Sequence, residues 1–418
     1  MLLSDTTFLC GYFSIDPHRL NAKNEAGIFR DAGWTRFCYT ADNVELLSNF
    51  YYPEFVSFST ATRRLYRKDC DTGITVPVKG PEGEQLPVKF RLKGIETGIY
   101  PYGIVMFSIK IEFDNVEDRA VWAVLAKLRN CCFYEGAGLD EFKKAAIDPL
   151  KRLYSIAGLK KADLQDENCS YLVENGNKFK IFQIVRTPDL SDEYLYSCGT
   201  LATYSPENPF ASSKEYFEKV MGESRLFIFN NWKALMLLDS VTFCAREVSG
   251  FTAGIWEKDY FGMIYLYELY RKCWLYRQNM RFCDKSEKPS VLYDEIKEFE
   301  RKYAFNFISY NFLPNEVDRA IEKNLETNAI KENVYHVINQ EVEEMSAERE
   351  SSTNIFLTFL TFVASFSAVW DISCLIDAMF SYEEAFDYTA LGYRMVASIL
   401  VLLILIVLLF TRHKKHRK

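Results

Sequence analysis

Residues 351–370 read SSTNIFLTFLTFVASFSAVW, and residues 395–411 read MVASILVLLILIVLLFT; neither stretch holds a charged residue. A helix rises 1.5 Å per residue, so about 20 apolar residues cross the ~30 Å hydrocarbon layer of a bilayer. The second stretch, extended back through Leu391-Gly392-Tyr393 with Arg394 placed to snorkel, meets that length. The first is more polar, with Thr358, Thr361, Ser365 and Ser367, and it too reads as a span. The pattern predicts a two-helix transmembrane hairpin: a first helix over 351–380, an external acidic loop over 381–391, a second helix over 392–411 and a basic tail over 412–418.

Charge sets the orientation. The tail Arg412-His413-Lys414-Lys415-His416-Arg417-Lys418 is strongly basic, whereas residues 371–391 carry Asp371, Asp377, Glu383, Glu384 and Asp387 and no Lys or Arg. The positive-inside rule places the tail in the cytoplasm, and a hairpin returns everything before it to the same side. The expectation is a multi-pass protein of the inner (cell) membrane, embedded in the lipid bilayer, with both termini cytoplasmic. The opening Met1-Leu2-Leu3-Ser4-Asp5 shows no leader pattern. Eleven scattered cysteines without a CxxC pair fit a reducing compartment.

Upstream, Pro314 suits the first turn of a helix, and no further Pro or Gly occurs before the first span. Apolar residues recur at Val317, Ile321 and Leu325, then at Val334, Val337, Ile338, Val342 and Met345, with charged residues on the other faces. The spacing predicts an amphipathic stalk helix over 314–350, weakened at 327–333. Joined to the first span, it predicts one helix from about 315 to about 379, on the order of 100 Å long.

Residues 1–313 read as a cytoplasmic, ligand-sensing α/β domain. Strands are expected at Thr7–Ile15, Phe55–Ser59, Ile74–Val78, Val88–Leu92, Ile104–Phe113, Phe179–Val185, Tyr194–Thr200 and Arg225–Phe229, with a hairpin turn at Tyr100-Pro101-Tyr102-Gly103. Helices are expected at 116–129, 149–157, 211–221, 231–248, 256–281 and 290–303. The second of these has Asp148 as its N-cap, Pro149 in its first turn and Gly158 as its stop.

Composition excludes several classes of chemistry. Fifty Lys and Arg against 57 Asp and Glu give a net charge of −7, which argues against direct nucleic-acid binding. His18 and His336 lie far apart, and His413 and His416 belong to the tail, so no zinc site or nucleophilic triad assembles. There is no GxxxxGK[ST] loop, and Gly136-Ala137-Gly138 is a bare GxG. The chain therefore reads as no enzyme, with no catalytic residues.

Two groups of residues carry the functional expectation. Asn354, Thr358, Thr361 and Ser365 recur at spacings of four, three and four, leading on to Asp371; they form one narrow polar stripe. Such a stripe serves either close helix–helix packing or the lining of a pore shared by several chains. Asp377, Glu383, Glu384 and Asp387 would concentrate cations at its outer mouth. In the cytoplasmic domain an anionic nucleotide needs cations and an aromatic face. Lys151 and Arg152 are one candidate pair; Arg271, Trp274 and Arg277, on an aromatic-rich helix, are another set. Core packing beneath a basic surface is the reading the aromatic stripe favours for that helix.

This layout resembles the CorA-type divalent-cation channels: a cytoplasmic α/β domain, a long helix entering the first span, a short acidic connection, a second span and a basic tail. The resemblance covers residues from about 230 onward and implies a pentamer and a divalent cation such as Mg. The family's Gly-Met-Asn is absent; Ala378-Met379-Phe380 stands nearest in position, so magnesium selectivity does not carry over. Asn231-Trp232-Lys233-Ala234-Leu235-Met236-Leu237-Leu238-Asp239-Ser240, and Glu348-Arg349-Glu350 leading into Asn354-Ile355-Phe356-Leu357-Thr358-Phe359-Leu360, bring the chain close to the CorA-like proteins that accompany type III CRISPR systems. That resemblance implies an antiviral effector opened by a nucleotide second messenger, a SAM-AMP conjugate. A CorA-type transporter of Mg, Co or Zn and a membrane-tethered receptor or enzyme are the alternatives.

Overall fold

The computed structural model describes residues 5–14, 22–39, 49–79, 84–114, 116–130, 138–156, 178–205, 207, 211–247 and 249–380. The chain divides into two compact units, Met1–Val342 and Glu343–Lys418. The first is a mixed α/β domain; the second contains the greater part of a long helix that is apolar enough to span a membrane.

The first unit is built on one sheet of β1 (Asp5–Ser14), β2 (Thr35–Phe37), β3 (Arg64–Lys79), β4 (Gln85–Tyr100), β5 (Ile104–Phe113), β6 (Lys180–Arg186), β7 (Arg225–Phe229), β8 (Trp232–Met236) and β9 (Ser240–Ala245). Among the described residues the strand order is β2-β3-β4-β5-β1-β6-β9-β8-β7. Every neighbouring pair is antiparallel except β6 and β9. The helices, in chain order, are α1 (Ala22–Asp31), α2 (Pro53–Ser57), α3 (Asp118–Arg129), α4 (Asp140–Phe142), α5 (Asp148–Ile156), α6 (Asp192–Thr200), α7 (Lys214–Ser224), α8 (Gly250–Ile255), α9 (Leu266–Cys283), α10 (Pro289–Tyr303), α11 (Phe312–Leu325) and α12 (Thr327–Phe380).

Strand side chains alternate between the two faces of a sheet, and here both faces are buried. On β1, Leu9 enters one core while Phe8, Cys10 and Tyr12 enter the other. The first core is closed by α3, α5 and α6 through residues such as Leu125, Leu150 and Leu195. The second is closed by α2, α9, α10, α11 and the start of α12, through Phe55, Trp274, Phe299, Ile321 and Ile338. The domain is thus three layers, a sheet between two helical faces.

Several expected elements stand. β1 and β5 match their predicted ranges closely, and Tyr102 and Gly103, with φ of 60° and 75°, make the turn between β4 and β5. Others need correction. Phe55–Ser59 is helical, because Pro53 opens α2 and Phe55, Val56, Phe58 and Ser59 share one buried face. Tyr194–Thr200 lies in α6, not in a strand: Ser191 caps it by accepting from the Tyr194 amide at 3.2 Å. Where a helix is expected over 231–248, the described residues 231–247 form not a helix but β8 and β9. β9 lies between β6 and β8 with both faces buried, so the apolar run shows no alternation. Asp148 is not an N-cap either, since α4, a π-helical stretch Lys143–Ile147 and α5 run on continuously. Pro149 has no N–H for the helical ladder, and the widened turn just before it accommodates its ring. Gly158 lies outside the described residues.

The stalk differs most. The single helix expected from about 315 to about 379 breaks at Glu326, which adopts a left-handed conformation with φ of 60° and ψ of 25°. The cause is the phase of the apolar stripe. Leu325 and Val334 are separated by about two and a half turns, so an unbroken helix would point them in opposite directions. The break lets Val317, Ile321 and Leu325 enter the same core as Val334 and Ile338.

Candidate functional site: the long apolar helix and the root of the stalk

α12 runs unbroken from Thr327 to Phe380. Among the described residues it is the one helix long and apolar enough to cross a membrane. In its uncharged part Phe356 is 60% exposed and Leu357 53%, and Leu360 and Phe362 are exposed as well. Stripping water from such a surface is worth roughly 25 cal/mol per Å², which drives it into hydrocarbon or against another protein surface.

The predicted polar stripe lies on this helix, and its hydroxyls are internally satisfied. Thr358 Oγ1 donates to the Asn354 carbonyl at 2.7 Å, Thr361 Oγ1 to that of Leu357 at 2.8 Å, and Ser365 Oγ to that of Thr361 at 2.8 Å. Committing the protons to the backbone removes the penalty of a bare donor in hydrocarbon. It leaves the oxygens as acceptors. Asp371 and Asp377 continue the same helix at positions 371 and 377. Glu383, Glu384, Asp387, the second span 392–411 and the tail 412–418 lie outside the described residues.

The two sets of proposed ligand residues are far from equivalent. On α5, Arg152 is exposed and Lys151 half-buried. On α9 the aromatic face is core. Trp274 is fully buried and stacks on Phe299 at 3.7 Å with an interplanar angle of 7°. Arg277 is half-buried and donates to the Tyr102 carbonyl. Arg271 is buried, with Nη1 at 2.6 Å from Glu268 Oε1 and 2.8 Å from Glu322 Oε1. Arg271 and Trp274 therefore offer a ligand neither a free charge nor a free ring face, and the tertiary packing does not bring α9's trio to one open surface.

What α9 does instead is anchor the stalk. Around Arg271, α9 and α11 bring together Glu268, Asp318 and Glu322. Burial, then the neighbouring Glu268 carboxylate, pushes the Asp318 carboxyl well above the usual range. Burial likewise raises Glu268, outweighing Arg271. Beside them, Lys272 Nζ donates to the Leu325 carbonyl at 2.7 Å, closing the C-terminus of α11 at the break; burial lowers its ammonium to about 8. The cluster escaped the reading of the sequence, though two signs were there. Glu268 interrupts an aromatic run, and Asp318 adjoins the apolar stripe at Val317.

Among the described residues no three His, Cys, Asp or Glu side chains are placed to hold a metal ion. Comparison with family models, with curated proteins and with solved structures finds no match to this chain.

Proposed function

We propose that the chain is the protomer of a homo-oligomeric membrane ion channel of CorA-like layout, in which the α/β unit acts as the gate. The observation that carries this reading is the hydroxyl stripe on α12. A helix that merely tethers a domain needs no line of oxygens at 358, 361 and 365. Copies gathered around a shared axis would turn those oxygens, acceptors once their protons are committed, toward permeating ions. Acceptor oxygens and the acidic positions 371 and 377 both favour cations over anions. The second span at 392–411 completes the hairpin, with both termini in the cytoplasm and a pentamer as the assembly implied by the resemblance.

The gating ligand proposed is an anionic nucleotide messenger of the SAM-AMP kind, as the resemblance to the CRISPR-linked CorA-like proteins implies. Lys151 and Arg152 support that part of the reading, because Arg271 is already neutralised by two carboxylates. A ligand opens the channel only if it binds the open arrangement better than the closed one. Cation flux into proteoliposomes, measured with and without a SAM-AMP conjugate, tests the proposal. Flux that rises on ligand addition is expected; no flux under any ligand or voltage would sink the channel. Thr361→Leu is expected to suppress flux at least about tenfold while leaving assembly intact, since it replaces an acceptor oxygen by a bulky apolar group.

A further inference from the structure

Asp318 is 7% exposed and Glu268 fully buried, and their carboxyl groups lie within hydrogen-bonding reach of each other. Arg271 bonds Glu268 and Glu322, while Asp318 has no cation within ion-pair distance among the described residues. Glu268 Oε2 and Asp318 Oδ1 are both buried without a hydrogen-bond donor. Two ionised carboxylates supply acceptors only, and like charges in contact in a dry interior do not both stay ionised. A proton between them supplies the missing donor. A divalent cation would not, because Arg271 already occupies the middle of the cluster.

We propose that Glu268 and Asp318 form a proton-binding site that holds one proton at neutral pH and locks α11 onto α9, making the α11–α12 joint at Glu326 responsive to pH. Burial raises both carboxyls, and Glu268 raises Asp318 further while the hydrogen bond with Asp318 lowers Glu268, so the proton the lock requires rests on Asp318. The sign comes from linkage. The closed joint binds a proton that the opened joint releases, so its stability is fully present below the ordinary carboxyl pKa. It falls as pH rises, until the pair itself has titrated. One proton corresponds to about a tenfold rise in opening per pH unit over that window.

The neighbouring groups differ from the pair in the sign or the range of their titration. Glu322 and Tyr267 also face the pair, Glu322 being held by Arg271. Lys272, with Lys180, Asp239 and Glu326 around it, titrates near 8 with the opposite sign, stabilising the joint only as pH rises above that value. On the π-helical stretch Trp256–Tyr265 packed against α11, Asp259, which accepts from Tyr51, is raised by burial to about 6 and gives a slope of the same sign that is spent above that value; Tyr260 and Tyr265 stay neutral in this range. Lys233 on β8 is held by Asp192, Lys323 on α11 by the Glu223 carbonyl, and on α10 Glu295 and Glu300 pair with Arg281 and Lys331.

Hydrogen exchange on the full chain in lipid nanodiscs, corrected for intrinsic rates, reads the joint directly through amides 318–330 between pH 5 and pH 7.5. The opening constant of the wild type is expected to climb about tenfold per pH unit before levelling, and Asp318→Asn, a permanent uncharged donor, to remove the climb above about pH 6, where Asp259 has already titrated. A flat wild-type profile, or an identical slope in Asp318→Asn, overturns the proposal. Glu268→Gln serves the same comparison if Asp318→Asn fails to fold. Infrared spectra at pH 7 give a second readout: a protonated-carboxyl stretch present in the wild type and lost in either variant is expected, and its absence from the wild type overturns the site. Neither measurement passes through conductance, so this site and the channel reading stand or fall separately.

Discussion

Gly262 shows how closely side chains are specified in the second core. It lies where the π-helical stretch passes the ring of Tyr39, and an added Cβ would meet ring atoms at 2.6, 2.7 and 2.8 Å. The ring is not free to move aside. Its hydroxyl donates to Glu96, which Arg67 clamps with two bonds of 2.9 and 2.6 Å and Ser108 with a third of 3.2 Å. Arg63, buried beside them, bonds the Gly262 carbonyl and the Tyr100 hydroxyl. Gly262→Ala is therefore expected to destabilise the domain by about 1–3 kcal/mol, read as a lower thermal midpoint; an unchanged midpoint would mean that Tyr39 yields. None of this was legible in the chain. Residues 39, 63, 96 and 262 are distant in sequence, and only the packing of a helix across the sheet brings them together.

At the scale of elements, the break between α11 and α12 is the feature with the most consequence. A non-glycine residue in the left-handed region is strained, and Glu326 is held there by its amide bonds to the Glu322 and Lys323 carbonyls. Glu326→Gly is expected to relieve about 1 kcal/mol of that strain, raising the denaturant midpoint of the α/β unit; a lower midpoint would show that the Glu326 side chain holds the joint. The opposing phases of Val317–Leu325 and Val334–Ile338 are written in the sequence, but they become a break only because one core receives both stripes. The same reasoning holds for β8 and β9. A continuous apolar run is ambiguous between a buried helix and a buried strand, and the pairing of β9 with β6 and β8 resolves it. Amphipathic α3, α10 and the alternating β4–β5 hairpin were readable locally because one face of each repeats with its own period.

For the whole molecule, both hydrophobic cores close within the first 342 residues, while the uncovered apolar surface of α12 at 356–362 belongs to the second unit. A chain truncated after Val342 is therefore expected to run as a single species without detergent by size exclusion, whereas the full chain requires detergent or lipid. Aggregation of the truncated form would show that the α/β unit depends on the C-terminal unit for its solubility. The polar stripe of the proposed pore was legible residue by residue, because helix periodicity alone puts 354, 358, 361 and 365 on one face. The proposed nucleotide site was not: cations and aromatics on one helix look the same whether they face a ligand or a core.

By itself the sequence determined which stretches are apolar enough to leave water. Uncharged runs, their length and the charges at their ends depend only on composition along the chain, and a bilayer responds to those directly. Tertiary structure alone decided which charges are spent. Arg271 could be assigned to a ligand or to Glu268 and Glu322 only when α9 and α11 met, since the partner that neutralises a buried charge is set by distance in space and not by position in the chain.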